Sequence, residues 1–216
     1  MTRRQILWLV PAAIWLLFTF WYTDFGGPLG EEEISDGLQK FQSQGYTPEQ
    51  VAALEAFLRN DTGKQFLMVN NIDMDDNPPQ IPGYDSNATA SDYLDYYLDH
   101  IYTQFFRRAC HPAFAGSALN YTADEFGIGS DAAFGWDSIA LMRYRSRRSF
   151  LAIITHPETS NRYQYKVAAM VKTIAYPVEP DLYLSDVRLL LFLVLGLGTA
   201  LVDIFIYGRQ RQRSNQ

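Results

Sequence analysis

Two apolar runs bracket a long segment in which hydrophobic and polar positions repeat at helical or strand periods. Residues 6–22 (ILWLVPAAIWLLFTFWY) carry no charge. At the helical rise these seventeen residues extend about 26 Å, enough to cross a hydrocarbon core. No small-residue cleavage motif follows, and Trp21 and Tyr22 suit an interfacial belt, so the run predicts an uncleaved anchor. Residues 189–207 (LLLFLVLGLGTALVDIFIY) predict a second span. Gly196 and Ala200 stand four apart on it, a spacing suited to close helix packing. Asp203 sits about 21 Å along it by helical rise. An acid there is either a functional group or an interfacial partner of Arg209, Arg3 or Arg4. Arg3 and Arg4 precede the first run, and Arg209, Arg211 and Arg213 follow the second. The positive-inside rule then places both termini in the cytoplasm and the main domain across the membrane, in a bacterium the periplasm.

Between the spans, residues 26–30 are rich in glycine and form a hinge. Residues 31–59 predict two helices split at Gly45. The first carries Ile34, Leu38 and Phe41. The second opens on Thr47 and Pro48 and carries Val51, Leu54, Phe57 and Leu58. This pair is an extension that either packs on the main domain or lies near the bilayer. Residues 64–72 predict a first strand, followed by an acidic loop over 73–87. Its Asp and Asn oxygens lack the glycine and closing glutamate of a calcium loop, which makes it a solvated connection. Residues 91–110 predict an amphipathic helix with Leu94, Leu98, Ile101 and Phe105 on one face, widened by Tyr93 and Tyr97. His100 falls off that face, toward solvent. A second strand is expected over 113–121.

A third strand, 136–145, puts Ile139, Leu141 and Arg143 on one face and Ala140, Met142 and Tyr144 on the other. Ser146 caps a short helix that His156 and Pro157 stop, and residues 165–177 predict the last strand, whose apolar pattern Lys172 breaks. Strand, helix, strand, strand, helix, strand is the order of a ferredoxin-like βαββαβ plait, an α+β fold with both helices on one sheet face. The uncovered face calls for a partner, most simply a second copy closing a dimeric α/β-barrel. The expected organisation is a span over 1–23, a helical extension over 24–62, the α/β domain over 63–180, a second span over 181–208 and a basic tail over 209–216.

Composition narrows the function. Of 216 residues 48% are hydrophobic, the formal net charge is −6, and the arginines form no stripe with interleaved aromatics, which argues against nucleic acid as a partner. The single cysteine, Cys110, has no intramolecular disulfide partner and reads as a buried thiol. No nucleophile elbow, phosphate loop, dinucleotide fingerprint or metal cluster is legible, so no cofactor and no metal are expected. His100, His111 and His156 are widely separated, and two of them precede proline. Asn60, Asn87 and Asn120 each begin a glycosylation acceptor pattern, of consequence only in a eukaryotic secretory pathway.

The stretch WDSIALMRYRSRRSFL, residues 136–151, together with KVAAM and Thr173, resembles the signature of the domain-of-unknown-function 1330 family. Where that family has a His-Arg pair, this chain has Tyr165 and Lys166. The resemblance implies the dimeric α/β-barrel superfamily, which includes cofactor-free monooxygenases, EthD-like proteins and haem-binding chlorite dismutase relatives. It therefore implies a fold without choosing a function. Asn70, Arg143, Tyr144, Arg145 and Lys172 are the polar residues expected on the open side of the sheet, where arginine and tyrosine would orient an anionic or phenolic ligand. Three functions remain open: a structural or accessory subunit of a larger membrane complex, a module binding a small hydrophobic ligand, and a cofactor-independent oxygenase or isomerase.

Overall fold

The structure is a computed structural model. It describes residues 1–208 except 120, 121, 123, 125, 128 and 130–132. Asn120 and Tyr121, the end of the expected second strand, and Arg209, Arg211 and Arg213 lie outside the described residues. The chain divides into two compact units, Met1–Thr23 with Asp181–Gln216, and Asp24–Pro180.

The first unit contains α1 (Arg3–Tyr22) and a second long helix, Val187–Asp203, numbered α7 in chain order, which ends in a π-helical turn, Ile204–Gly208. Both helices are long and apolar enough to cross a membrane, with mean hydropathies of 1.5 and 2.6 over their most apolar windows. They run antiparallel. Arg4 meets Asp203 at one end, while at the other Trp15 Nε1 donates to the Arg188 carbonyl (2.8 Å) and Arg188 Nη1 donates to Thr23 Oγ1 (2.8 Å). Trp15 meets Phe192 edge-on, with ring centroids 5.6 Å apart. Gly196 does not bring the two backbones together: a Cβ built there meets nothing within 4 Å.

The second unit is α+β. Its strands are β1 (Phe66–Met74), β2 (His111–Ser117), β3 (Ser138–Tyr144) and β4 (Met170–Val178), and they form one antiparallel sheet in the order β2-β3-β1-β4. Its helices are α2 (Glu31–Ser43), α3 (Pro48–Arg59), α4 (Ala90–Arg107), α5 (Arg147–Ile154) and α6 (Pro157–Ala168). Seven α-helices are thus present among the described residues.

The apolar stripe of α4 covers the sheet as its period requires. Ile101 and Phe105 join Phe66, Met142, Tyr144 and Ile153 in one buried cluster. The α2–α3 pair packs on the main domain, where Ile34, Phe41, Leu54 and Leu58 enclose Leu151 of α5. Gly37 allows this approach, because a Cβ there would overlap the Leu151 side chain.

Several boundaries differ from the sequence expectation. The segment before the last strand is helical through Ala168, so the strand begins at Met170 rather than 165. His156 and Pro157 do end α5, but Pro157 also sits in the first turn of α6 and the His156 side chain accepts from the Glu158 amide, a helix start. Likewise β2 begins at His111, not 113. As an edge strand it tolerates Pro112, which has no N–H to give the ladder. His100 is half-buried rather than solvent-facing, its ring centroid 4.8 Å from that of His156.

The turn Ser146-Arg147-Arg148 gathers the chain around it. Ser146 Oγ donates to Asp24 (2.6 Å), and Arg148 pairs with Glu33 (2.5 Å) and Asp24 (3.4 Å). Arg147 donates to the Phe57 carbonyl and pairs with Asp61 (3.4 Å) and Glu179 (3.1 Å). Segments at both ends of the α+β unit are therefore held on the first turn of α5.

Candidate functional site

A row of short side chains crosses the helix-facing side of the sheet. In register, Ala115 of β2 lies opposite Ala140 of β3, Ala140 opposite Asn70 of β1, and Asn70 opposite Ala175 of β4. Small residues in line cannot fill the space beneath a helix whose own face carries Leu98, Ile101 and Phe105. The result is an apolar cavity of about 140 Å³ between the sheet and α4, floored by Asn70, Ala115 and Ala140. Tyr97 and Tyr102 of α4, Tyr144 of β3 and Lys166 of α6 supply its other polar groups.

The five polar residues singled out from the sequence are divided by the structure rather than gathered on the open face. Asn70 and Tyr144 line the cavity, on the helix side. Asn70 Nδ2 donates to the Met68 and Ala140 carbonyls, at 3.0 and 3.2 Å. Tyr144 is buried in an aromatic cluster, stacked on Phe66 with centroids 5.1 Å apart. Arg143 is on the other face, as the alternation of β3 requires, but is fully buried there (0% exposed). Its Nε and Nη2 donate to Gln65 Oε1 (3.0 and 2.6 Å), and its Nη1 donates to the Ala109 carbonyl (2.5 Å). Ala109 has φ of 53° where α4 turns into β2, so Arg143 braces a left-handed turn. The Arg145 amide donates to Cys110 Sγ (3.4 Å). Lys172 donates to the Phe134 carbonyl (2.5 Å) and lies 3.7 Å from Asp73.

Cys110 is 1% exposed, and burial pushes its thiol above the ordinary value, which suits an inert core sulfur. Among the described residues no group of three or more His, Cys, Asp or Glu side chains could hold a metal ion.

Lys166, noted in the sequence only as half of the Tyr165-Lys166 pair, is not among the five candidate site residues. The helix that replaces the expected start of the last strand carries it to the cavity. Its Nζ lies 5.9 Å from the centroid of the Tyr97 ring, and it makes no ion pair among the described residues. Burial, with no charged neighbour contributing, holds the amine below the usual lysine range. Burial likewise raises the phenols of Tyr97 and Tyr144. A cationic donor and three phenols thus line a small apolar cavity, which suits ligand binding and proton-transfer chemistry alike.

Two other concavities are less enclosed. One lies where Gln44 meets the start of α6, with Lys40, Ser43, His156 and Asn161 around it. The other, in the first unit, lies against Trp15, Asp186 and Arg188.

These features define an α+β protein with a four-stranded antiparallel sheet and two helices of membrane-spanning character. No family model matches the sequence, and no curated protein matches it. Among solved structures, the methylated form of a Rhodopseudomonas palustris protein is 18% identical, with a TM-score of 0.50 over 65% of this chain and 96% of that one. Another crystal structure of that protein, described as of unknown function, is 19% identical, with a TM-score of 0.49 over 64% and 96% of the two chains. The match at 0.50 shows a shared fold.

Proposed function

We propose that this chain is a two-pass protein of the bacterial inner membrane whose periplasmic domain binds a small, mainly apolar molecule. The cavity over the Ala115–Ala140–Asn70 row, with Lys166 at its wall, is the observation that carries this reading. An accessory subunit needs no such space, whereas a binding module does. The same cavity would serve a cofactor-independent oxygenase or isomerase. Arg143 gives that version no support, since its guanidinium is occupied by Gln65 and the Ala109 carbonyl.

In this reading the domain is a ferredoxin-like plait of the dimeric α/β-barrel type, related to the domain-of-unknown-function 1330 family. The strand order β2-β3-β1-β4 supports it, with α2 and α3 as additions and α5 and α6 together in the place of the second helix. The organisation is spans at 1–23 and 181–208, an extension at 24–62, the domain at 63–180 and a basic tail at 209–216. Arg3, Arg4 and the tail arginines support cytoplasmic termini. Exposed Ile174 and Tyr176, on the sheet face away from the helices, support a homodimer or docking into a larger membrane complex.

The test is native mass spectrometry of the protein extracted in mild detergent. A dimer that retains a small organic molecule is the expected result. Recovery only inside a large assembly, with the cavity empty, would replace the binding reading with an accessory one.

A further inference from the structure

We infer that the cavity receives a small apolar molecule bearing a single carboxylate, held by the Lys166 ammonium with the Tyr97 hydroxyl beside it. The inference rests on the binding reading above and assigns its ligand class.

Several donors that line the cavity are engaged by no protein group among the described residues. Lys166 makes no hydrogen bond or ion pair among the described residues, and neither do the hydroxyls of Tyr97 and Tyr144. The other basic side chains of this region are engaged. Arg162 holds Glu158 (2.6 Å) and the Tyr96 carbonyl (2.8 Å), and Arg143 holds Gln65 and Ala109. The ordinary alternative is a lysine that runs its stem along apolar surface and puts its head into water. Lys166, however, lines the cavity and is only partly exposed. The polar atoms of these side chains open onto the cavity, and an oxyanion there would accept from the ammonium in an apolar surround, where a charge-assisted hydrogen bond is stronger than in water.

Polarity within the cavity also orients the ligand. Both hydrogens of the Asn70 amide are used on the Met68 and Ala140 carbonyls, which leaves its Oδ1 as an acceptor that repels an anion. The carboxylate therefore belongs at the Lys166 and Tyr97 side, with the apolar body over Ala115 and Ala140. The volume of about 140 Å³ admits one small ring or a short chain and excludes a long acyl tail or a nucleotide.

Benzoate and benzamide form a matched pair of probes, alike in shape and different in charge. Ligand-observed NMR on the full chain in mild detergent measures both affinities. Benzoate is expected to bind the wild type on the order of 10- to 100-fold more tightly than benzamide. In Lys166→Met that preference should vanish while benzamide binding persists, which also shows that the cavity is intact; Lys166→Arg should keep the preference. If Lys166→Met loses benzamide as well, Lys166→Gln is read by the same criterion. Equal binding of the two probes by the wild type, or undiminished benzoate binding by the neutral variants, overturns the carboxylate assignment and leaves the binding reading standing. Binding of neither probe by the wild type removes both.

Discussion

Arg4 and Asp203 stand 199 residues apart and meet through two hydrogen bonds, 2.8 Å from Nε to Oδ1 and 2.6 Å from Nη2 to Oδ2. A forked guanidinium–carboxylate pair fixes orientation as well as distance. It sets the register of α1 against α7 at one end, as Trp15 and Arg188 do at the other. Of the two readings open for Asp203, a functional acid within the membrane or a partner for a terminal arginine, the structure displays the second.

The pair should behave as a pair. Asp203→Ala leaves Arg4 without its carboxylate and should lower the thermal midpoint in detergent. Arg4→Met combined with Asp203→Ala should recover part of the loss, because deleting both charges costs less than stranding one. Tryptophan fluorescence is the measurement, since Trp8, Trp15 and Trp21 all lie on α1. Equal midpoints for the single and double variants would mean that the ion pair contributes nothing to helix association.

Arg147 calls for a larger effect. Its side chain is 9% exposed and that of its partner Asp61 is 3% exposed, so removing the guanidinium strands a carboxylate inside the domain. Arg147→Met should destabilise the unit by about 3–5 kcal/mol. Asp61→Asn, which keeps shape and hydrogen-bonding capacity, should cost less. Denaturant unfolding followed by circular dichroism separates the two. A loss below about 1 kcal/mol for Arg147→Met would show that the Phe57 carbonyl and Glu179 are satisfied by water instead.

How much of this could be read from the chain depended on whether a signal was local. The stripe Leu94, Leu98, Ile101, Phe105 is long and periodic, and α4 lies where it predicts. The capping pattern at Thr47 likewise appears as a formed capping box on α3. Alternation in β3 sorted Arg143 from Tyr144 correctly, but a period of two cannot say which face a helix will cover. For that reason Asn70 and Tyr144 were assigned to the open side and are found beneath α4. The helix at 157–168 was missed because one His-Pro step both ends α5 and starts α6. Lys166 was lost with it, since its role depends on a helix placing it over the sheet.

The pH dependence of stability follows from the same cavity. Folding lowers the Lys166 pKa below the ordinary 10.5, so between the two values the unfolded chain binds more protons than the folded one. Stability should therefore rise with pH through the window that ends near 10.5. Tyrosines act in the opposite sense. Burial pushes Tyr46 up to about 12 and raises Tyr97 and Tyr144, so the unfolded chain loses those protons first and stability falls above their ordinary value of 10.0. At the acid end the Arg148 guanidinium, hydrogen-bonded to Glu33, holds that carboxyl at about 2, and its contribution should disappear as pH falls from 4.5 toward 2. Melting curves across pH for the wild type and Lys166→Met provide the check. The alkaline rise should be absent from the variant and the acid limb unchanged. A variant that retains the rise would assign it to another group.

Topology can be tested because the native cysteine is silent. Cys110 is 1% exposed with a thiol raised by burial, so it should resist maleimide until the domain unfolds. A single exposed thiol introduced as Ser86→Cys, in the loop before α4, then reports the side on which the domain lies. With the domain in the periplasm, a membrane-impermeant maleimide should label this variant in spheroplasts before lysis. On the proposed topology, Arg3 and Arg4, with the tail arginines, would hold that orientation. Replacing Arg3 and Arg4 by Gln in the Ser86→Cys background should therefore produce a fraction labelled only after lysis. Labelling of Ser86→Cys only after lysis, with all the arginines present, would put the domain in the cytoplasm and the carboxylate ligand in a different chemical pool.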